Sequence, residues 1–112
     1  MNIFHIVSAA DWDAAVAAGS YEADSLATEG FIHFSYAEQV AATANRYYRQ
    51  LDGLQVLEVD PTAIPAELRI EESPASGEAF PHVYGPVPPA AVVAVHPLTR
   101  DAAGDYAFSP GA

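Results

Sequence analysis

The chain has 112 residues, of which 51% are hydrophobic and 17% are charged. This composition excludes a disordered chain, whose low hydrophobicity would prevent collapse, and predicts a single folded domain over residues 1–112. The lack of cysteine excludes disulfides, thiolate nucleophiles and cysteine-ligated zinc, and the formal net charge of −11 disfavours binding to nucleic acid or anionic membranes.

The amino-terminal sequence lacks the basic start and the apolar run of a signal peptide. No stretch reaches the ~18 apolar residues that a membrane span requires. We therefore expect a cytoplasmic protein with no membrane contact, and composition leaves its oligomeric state open.

The first predicted elements are a strand and a helix. Residues Ile3 to Val7 form a short, apolar, β-branched run that predicts a buried strand, with His5 at its centre. The motif Ser8-Ala-Ala-Asp11 resembles a capping box and predicts a helix that ends before Gly19. A polar, turn-like segment, residues 20–29, follows this helix.

A second strand and a second helix are predicted next. Phe31 to Phe34 forms an apolar run that suits a strand, and Ser35-Tyr-Ala-Glu38 has the pattern of a capping box with Ser35 as the N-cap. Val40 and Ala44 begin a helical spacing that continues to Leu51, so one face of this helix should pack on the sheet.

Three further strands are predicted, at residues 54–59, 68–71 and 90–95. Between the last two lies a rigid loop from Pro81 to Pro86, because each proline fixes its own φ and restricts the residue before it. Residues 98–112 are predicted as a loosely held tail. Two main helices with about five strands and no regular βαβ alternation predict an α+β domain, built on a small split antiparallel sheet or a half-open barrel.

The segment Glu29-Gly-Phe-Ile-His-Phe-Ser35 is the first candidate for a functional site. His33 and Ser35 alternate onto one face at a strand-to-helix junction, where free amides and the helix dipole suit an anionic or amide-bearing ligand. The alternative is structural, with Ser35 as a plain N-cap and His33 as a hydrogen-bonded core residue.

Two more histidines extend this candidate. His82 and Tyr84 share one side of the Pro81 to Pro86 segment, which could instead be a packing loop. His5 must find hydrogen-bond partners inside its apolar strand, either structurally or at a pocket wall. Taken together, the three segments predict one shared pocket that binds a small molecule and is lined by His5, His33 and His82.

Several reaction classes lack their motifs. The histidines have neither helical spacing nor a His-Glu-x-x-His pattern, so we predict no metal site. A Gly-x-Ser-x-Gly elbow and a glycine-rich phosphate loop are also absent from the sequence. The acidic pairs Glu71-Glu72 and Glu58 with Asp60 could serve acid–base chemistry or could form solvated strand faces.

Three segments together resemble the bacterial family known as domain of unknown function 952: Ile3-Phe-His-Ile6, Glu29-Gly-Phe-Ile-His-Phe-Ser35 and Phe80-Pro-His-Val-Tyr-Gly-Pro86. The resemblance extends from about Ile3 to Val95, which is most of the chain. The family is similar in predicted organisation to the ADP-ribosyltransferase-like fold of poly(ADP-ribose) polymerases, a split antiparallel sheet with a cleft for NAD.

The resemblance implies roles for individual residues. His5 resembles the first-strand histidine that holds a ribose hydroxyl, and His33 with Ser35 resembles the second position. Glu71 or His82 would complete the site, with Glu71 as the carboxylate beside an oxocarbenium-like state and Tyr84 as the stacking ring. NAD would be a substrate, and no cofactor is required.

Three interpretations remain open at this stage. The chain is either an enzyme that transfers ADP-ribose from NAD or a related nucleotide, or a non-catalytic binding module for a small metabolite or a protein segment. The third alternative is a structural protein without a ligand. Convergence of Glu71 and the histidines on one cavity would favour the enzyme.

Overall fold

The larger sheet begins at the β-branched run near the amino terminus. In the computed structural model, which describes residues 1–110, this run forms strand β1 (Ile3–Ser8). Strand β1 pairs antiparallel with β3 (Leu54–Val59), which pairs antiparallel with β6 (Val92–Pro97), so β3 is central. The predicted β3 is confirmed to the residue, whereas β6 begins later than predicted because Pro89–Ala91 forms a 3₁₀ turn.

The smaller sheet contains β2 (Ile32–His33), β4 (Leu68–Glu72) and β5 (Ala79–Val83), with β5 in the middle and both pairings antiparallel. Its connection to the larger sheet is a bridge between Phe4 and Ser35, whose backbone groups exchange two hydrogen bonds of 2.8 and 2.7 Å. The residues that follow β2 therefore anchor the smaller sheet to the edge of the larger one.

The segment from Pro81 to Pro86 is predicted as a rigid loop. Its first half instead belongs to β5, the central strand of the smaller sheet. The carbonyl of Pro81 accepts a hydrogen bond from the amide of Phe34 at 3.0 Å. Because proline has no N–H, Pro81 cannot return the reciprocal bond of an antiparallel pair. The pairing of β2 with β5 accordingly ends after His33, which explains why β2 is short.

Helix α1 (Ala9–Ala18) has the predicted ends. The Ser8 hydroxyl accepts the Asp11 amide at 3.1 Å, and Gly19 closes the helix at φ 77°, a left-handed conformation that favours glycine. The polar segment predicted as a turn contains a short helix, α2 (Asp24–Thr28). Leu26 of this helix packs against the core, and that tertiary contact outweighs the turn propensity of its neighbours.

The second main helix starts later than predicted and ends at Tyr47, before the predicted end at Leu51. A 3₁₀ turn (Ala37–Gln39) leads into α3 (Val40–Tyr47), and the N-cap is Tyr36, whose amide donates to Gln39 Oε1 at 2.9 Å. Ser35 is therefore not the cap, because its backbone is already engaged in the bridge to Phe4.

The larger sheet separates two apolar cores. One side packs against α1, α2 and the inner residues of the smaller sheet, and the other side packs against α3 and side chains from residues 98–108. Val40 and Ala44 are fully buried on the second side, as their spacing predicts. The expected α+β class, with two main helices and small antiparallel sheets, is confirmed.

Residues 98–110 are not the loose tail that the sequence predicts. They form a hairpin of β7 (Thr99–Arg100) and β8 (Tyr106–Ala107), and Tyr106 is 5% exposed. Asn45 bonds both backbone groups of Tyr106, and Arg100 donates to the carbonyls of Arg49 and Leu51. These contacts to the end of α3 hold the hairpin in place, and the last two residues of the predicted tail, 111–112, lie outside the described residues.

Within the described part of the chain, no helix is long and apolar enough to cross a membrane.

Candidate functional site

The outward side of the smaller sheet gathers titratable and aromatic side chains from all three strands. Successive strand residues face opposite sides, so Pro81 and Val83 are buried whereas His82, between them, faces outward. Cross-strand pairing places His33 and Arg69 on either side of His82. We call this surface the histidine face, and its members are Phe31, His33, Arg69, Glu71, His82 and Tyr84.

Glu71 lies at the centre of the histidine face. Its Oε1 accepts hydrogen bonds from the hydroxyl of Tyr84 and from Nδ1 of His82, the latter at 2.8 Å. These donors, Tyr84 foremost, lower the pKa of Glu71, and the same contact raises the pKa of Tyr84. At neutral pH the site therefore combines a carboxylate with a protonated phenol, and Glu71 Oε2 has no hydrogen-bond partner within residues 1–110.

Ring contacts fix the side chains around this carboxylate. Phe31 stacks on His82 with centroids 4.1 Å apart and an interplanar angle of 19°. The ring of His33 meets that of His82 edge to face at 5.3 Å. Arg69 lies over the ring of Tyr84, 4.6 Å from its centroid. A ligand would therefore meet a largely preformed aromatic surface.

Two exposed contacts with carboxylates lie at the edge of the histidine face. Nε2 of His33 lies 3.0 Å from Glu29 Oε2, and both side chains are about half exposed, at 48% and 51%. Arg69 donates to Glu67 at 3.0 Å, also in solvent. Such exposed pairs hold their partners only weakly, so Arg69 and His33 can exchange these carboxylates for a ligand anion.

His5 lies beneath the histidine face, in the core. It is 8% exposed, between the rings of Tyr21 and Phe34. Nδ1 lies 2.6 Å from the carbonyl oxygen of His33, and Nε2 lies 2.6 Å from the hydroxyl of Tyr21. Burial lowers the pKa of His5 to about 4, so the ring is neutral at pH 7.

These partners define the protonation of His5. A carbonyl can only accept, so Nδ1 carries the hydrogen and donates to His33, and Nε2 accepts from Tyr21. Both ring nitrogens are therefore satisfied within the protein. His5 joins the site by holding the backbone of His33 and does not present a free nitrogen on the histidine face.

Ser35 is 5% exposed and lies apart from the carboxylate cluster. Its backbone joins the two sheets through Phe4, as described above. The structure thus brings together His33, Glu71, His82 and Tyr84, places His5 directly behind them, and uses Ser35 as a link between sheets.

Tyr84 also borders an open depression of about 460 Å³. The wall is rich in proline and small residues: Gly19, Ser20, Pro65, Ala66, Gly85, Pro86 and Pro88. Gly85 is required there, because a Cβ on this residue would lie 2.6 Å from the Cβ of Ala66.

The remaining acidic candidates lie elsewhere. Glu58 accepts from Asn2 Nδ2 and contacts His96 Nε2, each at 2.7 Å, and these bonds lower its pKa. Asp60 accepts from both the hydroxyl and the amide of Thr62, which lowers its pKa, and acts as a turn cap. Within residues 1–110, no group of three or more histidine and acidic side chains is arranged to hold a metal ion.

Three contributors to the site are absent from the sequence-based prediction: Tyr21, Phe31 and Arg69. Phe31 stands two residues before His33, so strand alternation could have identified it. The pairing of Arg69 with His82 depends on the register between β4 and β5, and the contact of Tyr21 with His5 depends on a loop. Neither is visible in a sequence motif.

Comparison with known families and structures identifies close relatives. The model of the family described as "Protein of unknown function (DUF952)" matches residues 6–95. The crystal structure of protein CC0527 from Caulobacter crescentus is similar, with a TM-score of 0.85 and 35% identity, covering 96% of this chain and 94% of that chain. The solution NMR structure of CC0527 matches with a TM-score of 0.75 and 36% identity over 93% of this chain and 90% of that chain. No curated protein matches this chain.

Proposed function

The chain belongs to the DUF952 family, and we propose that its histidine face binds NAD or a related nucleotide and transfers ADP-ribose from it. One observation carries the proposal. Glu71 is held as a carboxylate by Tyr84 and His82, beside His33, with Oε2 unbonded within the described residues. NAD would be a substrate here and not a resident cofactor.

The chemistry of ADP-ribosyl transfer matches this arrangement. Cleavage of the nicotinamide glycosidic bond passes through an oxocarbenium-like state, in which positive charge develops on the ribose. A fixed carboxylate stabilises that charge more than it stabilises the ground state. Because Oε1 of Glu71 is anchored by two donors, Oε2 can face the ribose without reorganisation of the side chain.

The proposal assigns the remaining groups by their position. Arg69 supplies a positive charge on the histidine face. Its ion pair with Glu67 is exposed and exchangeable, so Arg69 is our candidate for binding a phosphate group of the ligand. Phe31 and Tyr84 supply aromatic surface for a ring of the ligand. His33 offers a hydrogen bond from the exposed side of the cluster.

The sheet arrangement supports an ADP-ribosyltransferase-like fold. Two small antiparallel sheets meet at the bridge between Phe4 and Ser35, which is a split-sheet organisation. One residue departs from the resemblance. His5 has both ring nitrogens bonded within the core, so we assign it to positioning His33 and not to holding a ribose hydroxyl.

The experiment is a titration of ¹⁵N-labelled protein with NAD, ADP-ribose and nicotinamide, followed through histidine and tyrosine resonances. We expect NAD and ADP-ribose to shift His33, His82 and Tyr84, and to leave His96, on the larger sheet, unchanged. His33→Ala should weaken binding about fivefold, the loss of about one hydrogen bond. His5→Ala should lower stability more than affinity, and His96→Ala is the matched control. No shift at millimolar ligand would reject the proposal.

The open depression that borders Tyr84 favours a second candidate function, a non-catalytic binding module for a small metabolite. This depression is open to solvent, and catalysis generally requires exclusion of water from the reacting atoms. The two candidates differ in the fate of bound NAD. The enzyme releases nicotinamide, whereas the binding module returns NAD unchanged.

A further inference from the structure

The contact between Glu71 and His82 determines where the imidazole proton lies. Oε1 of Glu71 only accepts, so Nδ1 of His82, at 2.8 Å, must carry the hydrogen. A neutral imidazole has one N–H, and Nε2 is therefore left with a free lone pair. Nε2 has no hydrogen-bond partner within residues 1–110, and it is not sealed from solvent.

The ring of His82 is also held in orientation. Phe31 covers one of its faces by parallel stacking at 4.1 Å, and the side chain is only 13% exposed. Its backbone belongs to β5, the central strand, where it pairs with both β2 and β4. A base that is fixed by a carboxylate and by packing requires little reorganisation when a proton arrives.

We propose that His82 is the general base of the histidine face, and that the acceptor of ADP-ribose is a hydroxyl compound, water or an alcohol. This inference rests on the proposed function. The acceptor oxygen attacks the ribose carbon that carries nicotinamide and gives its proton to Nε2. The carbon–nitrogen glycosidic bond breaks, its electron pair returns to the pyridinium nitrogen of the nicotinamide ring, and neutral nicotinamide leaves. The proton on His82 then passes to solvent.

The groups around His82 define the charge balance of this step. Glu71 on β4 stabilises the imidazolium that forms, and Arg69 on the same strand opposes it. Tyr84 stays protonated through its bond to Glu71, and His33 on β2 is paired with Glu29. The carboxylate in direct contact with Nδ1 is therefore the dominant charge on the base.

The first test needs no ligand. Nitrogen shifts of the histidine side chains identify which ring nitrogen is protonated. His82 should be protonated at Nδ1 at neutral pH. His33 is the internal comparison, because its contact with Glu29 is through Nε2 and predicts the opposite tautomer. Protonation of His82 mainly at Nε2, or no change in its tautomer in Glu71→Ala, which removes the acceptor, would overturn the inference.

The second test is the pH dependence of nicotinamide release from NAD. We expect the wild-type rate to fall as acid protonates Nε2, and His82→Gln to be at least about 100-fold slower, with this pH dependence lost. His96→Gln, on the larger sheet, should keep the wild-type profile. An unchanged rate or profile in His82→Gln would contradict a role as base.

The two proposals fail differently. If wild-type protein does not bind NAD, the proposed function is wrong, whatever the tautomer. If NAD binds and is cleaved but His82→Gln is as active as wild type, the proposed function stands and the general base is another group.

Discussion

Replacing His5 with glutamine removes a neutral imidazole from the core, and the consequence can be worked out from its pKa. Burial lowers that pKa from 6.5 to about 4. Because the folded-state pKa lies below the unfolded value, the unfolded chain takes up the proton first as the pH falls. The stabilisation by neutral His5 is fully present above pH 6.5 and is lost progressively down to about pH 4.

The magnitude follows from the size of the pKa difference. A pKa difference of about 2.5 corresponds to between about 3 and 4 kcal/mol for the complete titration, at about 1.4 kcal/mol for each unit. Wild-type protein should thus lose about 3 kcal/mol more unfolding free energy than His5→Gln between pH 6.5 and pH 4. Carboxylates with lowered pKa, such as Glu58, reduce the unfolding free energy of both proteins equally as the pH falls. Their contribution therefore cancels when the two proteins are compared.

Urea unfolding at several pH values measures this difference directly. Tyr21→Phe is the matched control, because it removes the hydroxyl bonded to Nε2 while His5 stays buried. Tyr21→Phe should lower the unfolding free energy by about 1–3 kcal/mol, because it leaves a buried nitrogen without a hydrogen bond. The loss of stability at acid pH should remain as in wild type. Parallel pH profiles for wild type and His5→Gln would refute the reasoning, since His5 would then not be held neutral by burial.

Other predictions concern the carboxylate, the glycine contact and the terminal hairpin. Tyr84→Phe removes the foremost donor to Glu71, so the pKa of Glu71 should rise toward its ordinary value in a carboxyl-carbon NMR titration; an unchanged pKa would exclude that bond. Gly85→Ala should cost about 1–3 kcal/mol in urea unfolding, because its Cβ would overlap Ala66 at 2.6 Å, and wild-type stability would contradict this packing. Arg100→Ala should raise amide hydrogen exchange in residues 99–107 while the central strand β3 stays protected; unchanged exchange would show that other contacts hold the hairpin.

Elements that depend on local patterns could be predicted from the sequence. Strand β3 was predicted to the residue, because turn signals bound its apolar run on both sides. Helix α1 was predicted from Ser8 and Gly19, whose capping roles depend only on neighbouring residues.

Elements that depend on distant contacts could not be predicted. Strand β5 contains Pro81, which argues against a central strand unless the neighbouring strand ends where the amide is missing, as β2 does. The terminal hairpin is held by Arg100, whose partners lie about fifty residues earlier in the chain. Local composition there indicates only a loosely held tail.

The site shows the same division. Alternation predicted that His82 and Tyr84 share a side, and their convergence on Glu71 through the register of β4 and β5 is visible only in the structure. A shared pocket that includes His5 was expected, but the strand that carries His5 belongs to the larger sheet and faces the core.

The most direct test of the proposed activity compares NAD binding with nicotinamide release in wild type and Glu71→Gln. The substitution keeps the size of the side chain and removes its charge, so both proteins should bind NAD with similar dissociation constants. The account predicts that wild type releases nicotinamide and that Glu71→Gln does so at least about 100-fold more slowly. Equal rates in the two proteins, or no NAD binding by wild type, would contradict it.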